Sequence, residues 1–157
     1  MSRRRKVIRK EVKRDARYAN PLVARLINAV MRRGKKATAE RIVYTAIDKA
    51  REGSDAIDPL ETLNKAIDNV KPRLEVKSRR VGGATYQVPI EVNAERQIAL
   101  ALRWIVTLAA NRKGITMMQA LAEAIKEAAA GQGSAIKKRD DMHKMAQANR
   151  AFAHFRW

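Results

Sequence analysis

The sequence contains no cysteine, which removes disulfides, thiolate metal ligands and cysteine nucleophiles together and makes a cytosolic protein the natural reading. Aromatic residues are scarce, at two Phe, two Trp and three Tyr, so the core must be built from aliphatics and alanine. A buried Leu, Ile or Val contributes about 1.5 to 3 kcal/mol and alanine far less. The core is therefore thin despite an apolar fraction of 46%.

No run of about 18 apolar residues occurs, so a membrane span is not expected. The basic N-terminal stretch SRRRKVIRKEVKRDAR is not followed by the apolar segment of a secretory signal. Catalytic signatures are missing too: there is no Gly-rich loop followed by Lys and Ser or Thr, no nucleophile elbow and no HExxH pair. His143 and His154 have no carboxylate at metal-ligand spacing, and Asp140 and Asp141 read as caps near a helix start. No catalytic residue, metal, cofactor or small-molecule substrate is expected.

Acidic residues are also few, at 16 against 34 Lys plus Arg, and the formal net charge of +18 calls for a polyanionic partner. The cations are clustered. Residues 1–19 hold nine basic and two acidic residues, whereas residues 45–69 hold three basic and six acidic. Arg32, Arg33, Lys35 and Lys36 form a second cluster, and Arg73, Lys77, Arg79 and Arg80 a third. Lys137, Lys138 and Arg139 make a fourth, followed by Arg150, His154, Arg156 and Trp157, where cations interleave with rings. One such cluster is an ordinary solvated surface; several together are the footprint of nucleic-acid binding.

At 157 residues the chain suits one domain with tails. Residues 1–19 read as a basic N-terminal arm and residues 20–157 as a helical RNA-binding domain. Asn20 and Pro21 open a first helix that runs to Gly34, and a second spans about Thr38 to Gly53. Asp58, Pro59 and Glu61 start a third, which Pro72 ends. The period then changes to two, and Gly82 and Gly83 separate alternating segments, so a β-hairpin is predicted at about 73–92. Three more helices follow: Asn93 to Ala110, the Thr116 and Gln119 capping box to Ala130, and about Lys138 to Phe152.

The fold class is therefore mainly α, a single helical domain of about six helices with a projecting two-stranded β-hairpin between helices three and four. All seven glycines are read in turns or caps and all four prolines at element starts or ends. Charge favours projection of the hairpin over packing. Tyr86 shares its parity with Val88 and Ile90 and is read as packed, as are Met142, Met145 and Phe152.

The strings MRRGKK at 31–36, VKPRLEVKSRRVGGATYQVPIEV at 70–92, ALRWIV at 101–106 and ANRAFAHFRW at 148–157 resemble the bacterial small ribosomal subunit protein seven family. That resemblance covers essentially the whole chain. It implies a structural protein of the small subunit that binds 16S rRNA directly, nucleates assembly of the 3′ major domain into the subunit head, and lies at the subunit interface near the decoding region and exit site. Arg3, Arg4, Arg5, Lys6, Arg9 and Lys10 match the family's rRNA-contacting arm. Lys35, Lys36, Lys137, Lys138 and Arg139 match further rRNA contacts, with which Arg32, Arg33, Arg73 and Lys77 are grouped.

By the same resemblance Arg79, Arg80, Gly82 and Gly83 lie beside the anticodon region of exit-site tRNA and hinder its loss. Arg150, Arg156 and Trp157 are grouped with them. Small-subunit proteins nine and eleven are the implied protein partners. The competing reading, a DNA-compacting protein using the corner of the first two helices, fits poorly because Thr38, Glu40, Arg41, Thr45 and Asp48 make an acidic groove reader.

Overall fold

The computed structural model describes residues 14–51 and 58–155. Arg3, Arg4, Arg5, Lys6, Arg9, Lys10, Arg156 and Trp157 lie outside the described residues. In chain order the elements are α1 (Pro21–Val30), α2 (Lys36–Arg51), α3 (Pro59–Val70), β1 (Leu74–Val81), β2 (Ala84–Glu91), α4 (Ala94–Ala110), α5 (Met117–Ala129), α6 (Ser134–Ala148) and a C-terminal 3-10 helix (Arg150–Phe155). The fold is mainly helical, with the hairpin between α3 and α4 as the spacing of the sequence predicts.

Helix starts follow local chemistry. Asn20 accepts from the Leu22 amide, Asp58 from the Leu60 amide and Asn93 from the Arg96 amide. Thr116 and Gln119 close a full capping box. Each side-chain acceptor satisfies an amide that the first helical turn leaves without a partner. Helix α5 packs on α2, α3, α4 and α6. Its Leu121 and Ile125 are fully buried alongside Val43 and Ile47 of α2, Leu63 and Ile67 of α3, and Ile105 of α4. Alanines such as Ala46, Ala66 and Ala101 are fully buried at these contacts, so small side chains occupy positions that larger aliphatics fill in richer cores.

The hairpin's two-residue turn fixes its register. Gly82 and Gly83 have φ of +57° and +92°, the pair of positive values that a type I′ turn requires. A Cβ at either position would meet nothing within 4 Å, so backbone conformation alone explains the glycines in this chain. With Val81 opposite Ala84, the pairs Glu75–Ile90, Lys77–Val88 and Arg79–Tyr86 share one face. Leu74 and Val76 therefore lie on the other face from Val88, and the cations Lys77 and Arg79 lie on the side where Val88 and Glu75 are buried.

That face is covered by α6 and the 3-10 helix. Tyr86 packs on Phe152 and Phe155, with ring centroids at 5.2 and 4.9 Å, as its parity predicts. The hairpin thus both packs, along this face, and exposes its tip at Gly82 and Gly83.

Four sequence expectations are corrected. Pro89 lies inside β2, not at an end. It is opposite Val76, and because Val92 donates to Arg73 the hydrogen-bonded pairs fall on Glu75–Ile90 and Lys77–Val88. Pro89 therefore occupies a non-hydrogen-bonded site on an edge strand, where its missing N–H costs no ladder bond. Met145 is 49% exposed and does not pack. Helix α6 begins at Ser134, not near Lys138, because Ala135 and Ile136 are buried and extend the helical stripe back to Gly133. Asp140 and Asp141 consequently sit within α6 and do not cap it; Asp140 instead accepts from Arg139 at 2.6 Å.

Candidate nucleic-acid interface

Between α1 and α2 the chain reverses through Arg32, Arg33, Gly34 and Lys35, all exposed. Arg33 and Gly34 both take positive φ, +52° and +73°, and Lys35 donates its amide to the Arg32 carbonyl at 3.1 Å. Because α1 and α2 pack on each other, this tight turn holds the cations at a fixed corner. Among the described residues Arg32, Arg33 and Lys35 make no ion pair, whereas Lys36 reaches Glu40 at 3.5 Å within α2.

The corner borders a cavity of about 430 Å³ with apolar walls, including Val30, Ile42, Val106 and Met117, and with Arg32 and Lys35 at its edge. Ile115 beside it is 40% exposed. A larger groove, about 1060 Å³, runs between α1 and α4, and its polar lining is Arg14, Arg25, Asn28, Asn93, Arg96, Arg103 and Thr107 with one carboxylate, Glu95. Val106 lines both, so the cavity and the groove adjoin across α4. Arg14, Arg25 and Arg103 make no ion pair among the described residues, and a concave surface with such cations on its walls attracts a polyanion strongly.

These groove residues were not singled out from the sequence. Arg25, Arg96 and Arg103 stand apart in the chain and join only when α1 meets α4; the signal available was their place on the polar side of two amphipathic helices.

The remaining cations are distributed differently. Arg96 is bound to Glu75 at 2.9 Å, and Glu75 also accepts from Lys77 at 3.1 Å. Burial pushes the Glu75 carboxyl up, but the hydrogen bonds from Arg96 and Lys77 outweigh it and hold it below the usual carboxylate range. This ionic cluster ties the hairpin's base to α4. Arg73 is exposed, and its amide donates to His143 Nε2 at 3.0 Å, tying the same base to α6.

Arg79 donates to the Phe155 carbonyl and is half-buried, while Arg80 is exposed beside the turn. In α6, Lys137 and Lys138 are exposed, whereas Arg139 is half-buried and donates to the Asn69 carbonyl and to Asp140. Arg150 is exposed in the 3-10 helix. The structure thus brings Arg32 and Lys35 together with a groove, sets Arg79 and Arg150 in a second region around the hairpin, and uses Arg139 inside the fold.

Among the described residues no group of three or more His, Cys, Asp or Glu could hold a metal ion, and no helix is long and apolar enough to cross a membrane. The chemistry on display is a set of fixed positive charges and half-buried rings.

Known proteins match this chain from end to end. The profile of the family described as Ribosomal protein S7p/S5e matches residues 2–150. The chain is 65% identical over 157 residues to a protein of Akkermansia muciniphila named small ribosomal subunit protein uS7, with 100% of each chain covered. A Sorangium cellulosum protein of the same name is 54% identical over 157 residues, again with 100% of each covered. One from Rhodococcus erythropolis is 56% identical over 143 residues, 91% of each.

Proposed function

The chain belongs to the Ribosomal protein S7p/S5e family and is a structural component of the small ribosomal subunit, not an enzyme, and from that premise we propose that it is a primary 16S rRNA-binding protein that nucleates folding of the 3′ major domain into the subunit head. The observation that carries this reading is the joined cationic surface of the α1–α4 groove and the α1–α2 corner. It offers Arg25, Arg32, Lys35 and Arg103 without carboxylate partners among the described residues. Phosphates crowded at an RNA junction release counterions when such side chains replace them, which makes affinity fall steeply with salt. The rigid corner and groove add shape, so a folded junction is preferred over random duplex.

In this reading the arm, with Arg3, Arg4, Arg5, Lys6, Arg9 and Lys10, follows the rRNA away from the groove, and Lys36, Lys137 and Lys138 add further phosphate contacts. The hairpin tip and the C-terminal segment face exit-site tRNA near the decoding region. Small-subunit proteins nine and eleven are its protein neighbours, and the setting is cytoplasmic.

The test is binding of the purified protein to a 3′ major domain fragment of 16S rRNA, with random-sequence RNA and duplex DNA as competitors. Binding that survives both competitors is the expected result. Displacement by either at equal concentration would reduce the protein to a generic polyanion binder.

A further inference from the structure

Just ahead of α1 lies a hydrogen-bonded cluster that phosphate contact does not explain. Asp15 is only 7% exposed. Its carboxylate accepts from the Tyr44 hydroxyl at 2.6 Å and from the Tyr18 and Arg17 amides at 2.9 and 3.0 Å. Arg17 lies over the rings of Tyr18 and Tyr44, at 5.2 and 5.4 Å, and donates to Asp48 at 3.1 Å. The Tyr18 hydroxyl donates to Asp48 as well, at 3.0 Å, and the two tyrosine rings meet edge to face at 5.9 Å. Ala19 then turns through a φ of +48° into the Asn20 cap.

Every long-range bond in this cluster ends on α2, while the adjoining Arg14 lines the α1–α4 groove. Arg17, one of the segment's cations, is therefore engaged within the fold. The polarity of the central bond is fixed: Tyr44 is pushed up to about 12, first by its bond to Asp15, and remains a donor. Burial pushes Asp15 up, but the bonds from Tyr44 and the Tyr18, Arg17 and Ala16 amides together hold it below its usual value. A buried carboxylate needs such partners to be tolerated at all, and an apolar pair would serve mere packing as well.

We propose that Asp15 and Tyr44 are positioning residues for RNA binding, holding the root of the N-terminal arm at the α1–α4 groove so that arm and groove engage one stretch of RNA as a single site. The inference rests on the RNA-binding reading above. Two linked binding segments reinforce each other only when the link places both within reach, and a fixed root raises the effective concentration of the arm at the RNA that the groove already holds. Loosening the root lowers that concentration without removing a single cation.

The experiment compares Tyr44→Phe in two full-length backgrounds, the natural arm and an arm with Arg3, Arg4, Arg5, Lys6, Arg9 and Lys10 all changed to Gln. Affinity for the 3′ major domain fragment of 16S rRNA is read in each, with circular dichroism confirming the helical fold. Tyr44→Phe keeps the ring against Tyr18 and removes only the hydroxyl; Asp15→Asn tests the same bond from its other end. With the natural arm both variants weaken binding by roughly three- to tenfold, and with the six-Gln arm they change it little, a coupling typical of groups that act as one unit.

Equal weakening in both backgrounds would show a merely structural role and overturn the proposal, as would no weakening in the natural one. If the six-Gln arm alone leaves affinity unchanged, the arm is not an RNA ligand, and that part of the function fails together with the inference.

Discussion

His143 shows how one side chain links function-bearing elements. Its Nε2 accepts the Arg73 amide, which only a ring with an unprotonated Nε2 can do. Burial, then the Arg139 charge, pulls the ring below its ordinary value of 6.5; Asp140 opposes them and Arg73 adds a last, smaller lowering. The unfolded chain therefore takes up a proton before the folded one does, so this stabilisation is complete above the unfolded value and is lost as pH falls through the folded one. Thermal melts of the free protein should drop between about pH 7.5 and about pH 5.5, and the drop should be smaller in His143→Gln. Identical pH profiles would mean that the bond contributes nothing.

Arg33 is a residue whose conformation opposes its chemistry. A φ of +52° strains any side chain with a Cβ, by roughly 1 to 2 kcal/mol, yet a cation stands there. Arg33→Gly should raise stability by about 0.5 to 1 kcal/mol after the added freedom of the unfolded chain is subtracted, while lowering affinity for rRNA. Melting temperature and RNA titration on the same variant check both signs. At this scale the sequence was readable wherever a residue acts on its near neighbours, as the caps at Asn20, Asp58 and Thr116 do. Asp15 was not, since its partner Tyr44 is distant in the chain and nothing in a basic run distinguishes a buried carboxylate from a solvated one.

Among the elements, α1 to α5 and the hairpin were legible because apolar spacing, caps and the paired glycines agree with one another. Helix α6 was misplaced at its start because Gly133, its cap residue, offers no side-chain acceptor to announce it. Its end was obscured because the chain passes through Asn149 into a 3-10 helix without a glycine. The hairpin's packed face could have been read from the two-residue turn, which sets Lys77 opposite Val88 before any packing is known.

If the tip serves exit-site tRNA, shortening the hairpin between Arg79 and Tyr86 should leave rRNA affinity nearly unchanged and speed the loss of that tRNA from reconstituted subunits. The base remains tied by Glu75 to Arg96 and by Arg73 to His143, so the helical body keeps its surface. A collapse of rRNA affinity would instead place the tip within the rRNA site.

At the scale of the whole molecule, a net charge of +18 on an alanine-rich core should make the compact state gain from an anionic partner, since self-repulsion weakens it and bound phosphate would relieve it. Composition made that legible. What composition could not supply was the groove, because Arg25 and Arg103 belong to helices separated in sequence by α2, α3 and the hairpin. Charge alone predicts that any cation matters equally, whereas the fold gathers Arg25, Arg103, Arg32 and Lys35 around one groove and its adjoining cavity.

The most direct measurement is the salt dependence of binding to the 3′ major domain fragment for two triple variants of equal charge, Arg25, Arg32 and Arg103 changed to Gln, against Lys49, Arg51 and Lys65 changed to Gln. Each phosphate that the protein ceases to neutralise should lower the slope of log K against log salt by roughly 0.7 to 0.9. The first variant should bind more weakly and lower the slope by about two to three, while the second stays close to the natural protein. Equal weakening in both would contradict a localised RNA-binding face and leave only the net charge.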